Sequence, residues 1–208
     1  MQIKSNFLRI KTLISRFFQI INLKYKHKGL MSFRQYWQIA REIELIRPAN
    51  ILIFGLGFDS LLWHKLNKYG KTIFIEDNKD WIDKFKYKDL TIKRVSYKTE
   101  IKKYREYGID SEFLLLKLGK EIFQTKWDLI FVDGPLGHQP PRKWAGPGRM
   151  SSLYTAKQLS KFAKCIIVDD FSRKIENEYS LHYFGKKNLY KIIESKLAFF
   201  KNDNFKNE

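Results

Sequence analysis

Gly55 and Gly57 stand in the segment Gly55-Leu56-Gly57-Phe58-Asp59-Ser60, directly behind the apolar run Asn50 to Phe54. A glycine pair closing a buried strand lets the backbone turn tightly and approach a ligand. A helix opening at once adds the positive field of its first amides. About twenty residues further on, where an acidic side chain takes the ribose hydroxyls of an adenosine-type cofactor, the run Thr72 to Ile75 ends in Glu76-Asp77. The third glycine of a dinucleotide fingerprint is absent, with Ser60 in its place. That substitution argues against NAD and for S-adenosylmethionine. Gly55, Gly57, Asp59, Ser60 and Glu76 are therefore the expected cofactor residues, joined by Asp133 from a neighbouring strand end.

Two further apolar runs end in acid: Val132-Asp133-Gly134-Pro135 and Val168-Asp169-Asp170. In a doubly wound sheet such ends converge on one crevice. Asp133, Asp169 and Asp170 could there hold a hard divalent cation, which would lower the pKa of a substrate hydroxyl; without a metal, one of them could act as general base. The alternative for Asp169 or Asp170 is a helix N-cap. Asp133 and Asp170 are the expected catalytic carboxylates, with His138 as a further candidate that is as readily a local hydrogen-bonding residue.

Between the fourth strand and the next helix, residues 136–150 form a long Gly- and Pro-rich loop carrying His138, Arg142, Lys143, Trp144 and Arg149. Loops of this length more often shape a binding site than merely connect elements. Trp144 is placed to stack on a sugar face or to act as an apolar lid. Arg142, Lys143 and Arg149 are expected to pair with a carboxylate or phosphate of the acceptor.

The elements that must position these residues alternate. Strands are expected at Asn50 to Phe54, Thr72 to Ile75, Thr91 to Val95, Asp128 to Val132 and Ile166 to Val168. Helices are expected at Ser60 to Lys68, Asp80 to Phe85, Ser111 to Phe123, Met150 to Lys164 and Arg173 to Tyr183. Leu189 to Ile193 and Leu197 to Phe200 read as a closing antiparallel hairpin. This is the pattern of an α/β, Rossmann-like class I methyltransferase: a mostly parallel seven-stranded sheet with a C-terminal antiparallel hairpin. Ahead of it, Ser32 caps a helix that runs to about Ile46 and is closed by Pro48.

The first segment places Ile3, Phe7, Ile10, Ile14, Phe17 and Ile21 at steps of four and three, with Arg9, Lys11 and Arg16 between them. That is a basic amphipathic helix, too charged for a signal peptide or a membrane span. It either packs on the domain or a second subunit, or docks on an anionic membrane. We read residues 1–30 as this extension and 31–208 as one domain. The net charge of +18 over 208 residues favours an anionic partner: nucleic acid, acidic membrane or acidic substrate. The single cysteine, Cys165, lies in an apolar run; it reads as a buried hydrophobe, and a lone cysteine fits a reducing, cytoplasmic setting.

Several segments in order resemble one family, the plant polysaccharide-biosynthesis proteins that include glucuronoxylan 4-O-methyltransferases and irregular-xylem proteins. They are Phe54-Gly55-Leu56-Gly57 with Asp59-Ser60-Leu61-Leu62-Trp63, Thr72 to Glu76, Tyr97-Lys98-Thr99, Trp127 to Ile130 with Val132-Asp133-Gly134-Pro135, Pro147-Gly148-Arg149-Met150, and Asp170 with Arg173 and Glu176. The family commonly has His where Phe58 and Asp169 stand here. The resemblance implies S-adenosylmethionine as donor, a uronic-acid-bearing glycan as acceptor and help from a divalent metal. The expected function is S-adenosylmethionine-dependent O-methylation of a saccharide hydroxyl, of an acidic or surface glycan, in the cytoplasm or peripherally at the inner face of a membrane; RNA methylation and a non-catalytic role in glycan assembly are the alternatives.

Overall fold

The computed structural model describes residues 2–28, 30–138, 143 and 145–202, with side chains from residue 14 onward. Seven strands, β1 (Asn50–Phe54), β2 (Lys71–Glu76), β3 (Thr91–Arg94), β4 (Leu129–Val132), β5 (Cys165–Val168), β6 (Leu189–Ile193) and β7 (Leu197–Lys201), form one sheet in the order β3-β2-β1-β4-β5-β7-β6. The first five run parallel, and β7 pairs antiparallel with both β5 and β6. The expected sheet and terminal hairpin are both present.

Each central strand is a short apolar run because both of its faces are covered. On β1, Leu52 and Phe54 face one core while Ile51 and Ile53 face the other, and β4 divides Ile130 and Val132 from Leu129 and Phe131 in the same way. The helices α1 (Gln2–Lys26), α2 (Phe33–Ile46), α3 (Ser60–Leu66) and α4 (Lys79–Phe85) cover one face. On the other lie α6 (Met150–Leu159), α7 (Lys174–Phe184) and the shorter α5 (Lys120–Gln124).

Helix α2 begins where the sequence places its start. Ser32 and Gln35 form a reciprocal capping box, each side chain accepting from the other's backbone amide at 3.1 and 2.8 Å. Helix α1 lies against it through the buried Ile20, the Arg16–Glu44 ion pair at 2.5 Å and the Arg16 guanidinium 3.8 Å above Trp37.

One expected helix is absent. The segment 111–123 contains a 3-10 turn at Glu112–Leu114, then extended chain, and only then the short α5. Leu114 and Leu116 are buried while Leu115 between them is 40% exposed. This is a period of two, which a helix does not produce. The Leu116 amide donates to Thr155 Oγ1 at 3.0 Å, so the extended piece is tied to α6. Helix α6 also stops five residues short of the expected Lys164, giving way to a 3-10 turn at Ser160–Phe162.

Asn67, buried behind α3, fixes where β1 and β2 begin. Its Oδ1 accepts from the Ala49 amide at 3.0 Å, and its Nδ2 donates to the Ala49 carbonyl and Thr72 Oγ1, both at 2.9 Å. Asn67→Ala leaves the buried Ala49 amide unpaired and takes one donor each from Thr72 Oγ1 and from the Ala49 carbonyl, which keeps the Lys71 amide, and is expected to cost about 1–3 kcal/mol. In urea unfolding the midpoint should fall with no change in slope; an unchanged midpoint would remove Asn67 from this role.

Candidate active site

The carboxyl ends of β1, β2, β4 and β5 are adjacent, and each carries one part of the site. After β1 the chain turns at Gly55, whose φ of +111° suits glycine alone. A Cβ at Gly55 would lie 3.1 Å from the Asp133 carbonyl carbon and the Gly134 nitrogen, and one at Gly134 would lie 2.8 Å from Gly55 Cα. The two turns therefore pack backbone to backbone. Gly57 keeps ordinary dihedrals, but a Cβ there would press on Asp59 Oδ1 at 3.0 Å.

Glu76, buried at the end of β2, closes the same turn from the other side. Its Oε2 accepts from the Leu56 amide at 2.7 Å, and its Oε1 accepts from the amides of Asp77 at 3.0 Å and Asn78 at 2.7 Å. Burial raises its pKa despite these donors. Three of about four lone-pair sites on the carboxylate are thus taken. Glu76 shapes the turn and keeps little capacity for a ribose hydroxyl, whereas the neighbouring Asp77 opens on a cavity of 810 Å³ lined also by Arg94, Tyr97, Lys98, Phe113 and Ser151. Ser60 Oγ accepts from the Gly57 amide at 2.9 Å, within the turn. Asp59 is buried against α2, where the Tyr36 hydroxyl donates to its Oδ2 at 3.2 Å. Burial pushes its carboxyl up to about 6.

The three carboxylates at the ends of β4 and β5 do come together, but around a guanidinium. Arg149 is buried, its Nη1 donating to the Asp169 carbonyl at 2.6 Å and its Nη2 to the Asp133 carbonyl at 3.0 Å. The same Nη2 lies 2.8 Å from Asp170 Oδ2, 3.3 Å from Asp133 Oδ1 and 3.7 Å from Asp169 Oδ2. These carboxylates raise the Arg149 pKa against its burial. Burial, and then the charge of Asp169, raises Asp133 well above the ordinary carboxylate range. Asp169 is raised too, again chiefly by burial.

Two expectations change here. Arg149, expected at the acceptor, is spent inside the protein, because a buried guanidinium finds its partners in strand-end carboxylates and carbonyls rather than in solvent. The donor set expected for a divalent ion does not fit one as arranged, since a cation already lies among the carboxylates. Among the described residues no group of three or more His, Cys, Asp or Glu is disposed to hold a metal. Asp170 adopts a left-handed φ of +57° and is held a second time, by Arg173 Nη2 at 3.0 Å.

Arg173 also reaches the loop after β4, donating from Nη1 to the Gly137 carbonyl at 2.9 Å. The loop's two legs are joined by a bridge between His138 and Ala145 and by the Gly148 amide on the Leu136 carbonyl. They are fastened to the sheet edge by Thr99 Oγ1 on the Pro147 carbonyl and the Ile101 amide on the Gly146 carbonyl. His138 is half-buried at this root, and Lys143 is exposed. Arg142 and Trp144 lie outside the described residues. Reading the sequence missed Tyr36, the lining role of Asp77 and Tyr97, and the bridging role of Arg173. Six cations lie between the two acidic strand ends, and nothing in the sequence singled out Arg149 among them.

Residues 36–108 and 107–200 match the family described as IRX15/IRX15L/GXM. The chain belongs to this family. It is 34% identical over 168 residues to glucuronoxylan 4-O-methyltransferase 3 of Arabidopsis thaliana, covering 70% of this chain and 55% of that protein. With arabinogalactan O-methyltransferase 1 of the same plant it shares 30% over 172 residues, covering 70% and 58%. With Protein IRREGULAR XYLEM 15, also of Arabidopsis, it shares 30% over 169 residues, covering 68% and 51%. This family member thus spans about half the length of the relatives it matches. Among solved structures, a candidate caffeoyl-CoA O-methyltransferase from Staphylococcus aureus superposes with a TM-score of 0.52 over 97% of this chain and all of that one, at 12% identity. That likeness shows the Rossmann-like methyltransferase fold.

Two outcomes follow from the charges at this site. Asp59 binds its proton more tightly folded, at about 6, than unfolded, at 3.8. Its contribution is fully present below the lower value and lost as pH rises through the upper, about 2–3 kcal/mol in all. Asp59→Asn should flatten the stability profile in this window, and an unchanged profile would contradict the assignment. Arg149→Met strips the carboxylates of their cation and is expected to cost about 3–5 kcal/mol near neutral pH. The loss should shrink as pH falls and the acids protonate, a trend that denaturation at two pH values would detect.

Proposed function

We propose that this chain transfers the methyl group of S-adenosylmethionine to a hydroxyl of a saccharide, acidic or part of a surface glycan, and that it does so in the cytoplasm. The observation that carries the reading is the meeting of the Gly55–Gly57 turn with the acidic ends of β2, β4 and β5 at one edge of a methyltransferase sheet. Membership of a family whose named proteins include two kinds of polysaccharide O-methyltransferase supports the acceptor class. The buried, unpaired Cys165 suits a reducing compartment.

When bound, S-adenosylmethionine supplies an electrophilic methyl group on a sulfonium. The chain's residues fit that donor. Gly55 brings the backbone close, Glu76 holds the turn open in one conformation, and Asp77 with the cavity beside Tyr97 offers polar and aromatic contacts for a nucleoside. Asp133, Asp169 and Asp170 outnumber Arg149 and Arg173, so the site keeps a negative surplus that favours a cationic donor.

Asp133 carries the chemistry in this reading. Its side chain is 27% exposed, the most open of the three, and it heads the loop expected to hold the acceptor. A carboxylate with a raised pKa is a better proton acceptor than an ordinary one, and Arg149 fixes its orientation. With S-adenosylmethionine held at the Gly55–Gly57 turn and supplying the methyl group, Asp133 would take the proton that the acceptor hydroxyl gives up on methylation. With the carboxylates already paired to Arg149, direct general-base action is favoured over activation of the substrate hydroxyl by a metal ion.

Asp133→Asn keeps the shape and removes the base. Turnover should fall by roughly 10²–10⁴-fold while donor binding, followed by calorimetry, persists. Wild-type protein should methylate acidic oligosaccharides and leave RNA untouched in a labelled-donor screen. Near-normal turnover by the Asn variant would shift the catalytic role to His138 or Asp170, and transfer to RNA alone would overturn the acceptor class.

A further inference from the structure

Helix α1 uses only part of its circumference to pack on α2. Arg16 and Ile20 are buried there, and Lys24 donates from Nζ to the Met31 carbonyl at 2.7 Å. On another face Ile14, Phe18, Ile21 and Tyr25, at steps of four, three and four, are 51%, 63%, 44% and 89% exposed, with Phe17 packed edge-on beside Phe18. A helical stripe of this kind left in water is a surface that something covers.

The charge says what. Among the first 41 residues there are nine Lys and Arg and no Asp or Glu, so this fifth of the chain holds half of the +18. A second copy of the chain would bring the same cations against themselves. RNA would answer the charge but offers no apolar interior for two isoleucines and a phenylalanine. A bilayer with anionic headgroups answers both, taking the stripe at the acyl boundary while the exposed Lys26 and Lys28 stay among the phosphates. Among the described residues no helix is long and apolar enough to cross a membrane, so the contact is one of lying on the surface.

We infer that α1 docks this protein on anionic membrane through the Ile14, Phe18, Ile21 and Tyr25 stripe. Docking also sets the active site. His27, just past the end of α1, stacks on Phe58 of the glycine turn with ring centroids 3.7 Å apart. A helix lying on the bilayer therefore holds the mouth of the site near its surface, where a saccharide linked to a lipid would be presented.

The test is co-flotation of the full chain with vesicles of mixed phosphatidylglycerol and phosphatidylcholine, and with phosphatidylcholine alone. Binding is expected to the mixed vesicles only, to weaken with salt, and to drop by about tenfold or more in a Phe18→Glu, Ile21→Glu double variant. Both side chains are exposed, so the variant should keep the wild-type thermal midpoint; Phe18→Ser with Ile21→Ser serves as a milder pair. Binding that is absent at low salt, or equal in wild type and both variants, would overturn the inference. So would a concentration-dependent dimer, or RNA binding, that the same substitutions abolish. None of these outcomes depends on methyl transfer, so the docking surface and the catalytic reading can fail separately.

Discussion

A guanidinium buried among carboxylates organises the functional edge of this protein. Strands β4 and β5 pair in register, Val132 beside Val168, so the acids that follow them must emerge side by side. Unpaired, Asp133, Asp169 and Asp170 would repel one another in a partly dry crevice, a cost of several kcal/mol per ion. Arg149 removes that cost and adds two bonds to the Asp133 and Asp169 carbonyls, so it fastens the backbones of both strand ends as well as their side chains. It is also the last residue before α6. The loop that leaves β4 is thereby returned to the end of β4, and α6 starts from a fixed point.

Other features follow from that closure. Gly55 and Gly134 face each other with no room for a Cβ, so the turn after β1 takes its shape from the turn after β4. Glu76 completes the arrangement from β2 by accepting three backbone amides. Arg173 carries it outward, joining Asp170 to the Gly137 carbonyl at the root of the loop. The site is thus built largely from backbone held by charged side chains. Several residues whose types suggest ligands, Ser60, Glu76 and Arg149, spend most of their capacity on the protein itself.

The central strands were legible because a strand buried on both faces must be a short apolar run, and β1 begins and ends where such a run does. Ser32 marked the start of α2 because a side chain that satisfies an orphan amide leaves a local signature. The 111–123 segment misled because Leu114-Leu115-Leu116 satisfies a helical pattern as well as an extended one, and Thr155, far along the chain, decides between them. The gathering of Asp133, Asp169 and Asp170 was readable from strand ends alone, but their counter-ion was not. Spacing along the chain cannot say whether a cation among three carboxylates is an ion from solution or an arginine from the next helix.

Net charge also means something different once it is placed. A chain at +18 invites the view that its strand-end crevice attracts an anion. Yet the crevice carries Asp59, Glu76, Asp133, Asp169 and Asp170 against Arg149 and Arg173, and half of the positive excess precedes residue 42. The two regions are opposite in sign and joined through the stack of His27 on Phe58. An acidic crevice suits a sulfonium donor, and a basic, apolar-striped helix suits an anionic surface. The overall charge therefore says nothing about whether the acceptor is acidic, and that question falls to the cations at the loop and cavity, among them Arg94, Lys98, Lys117 and Lys143.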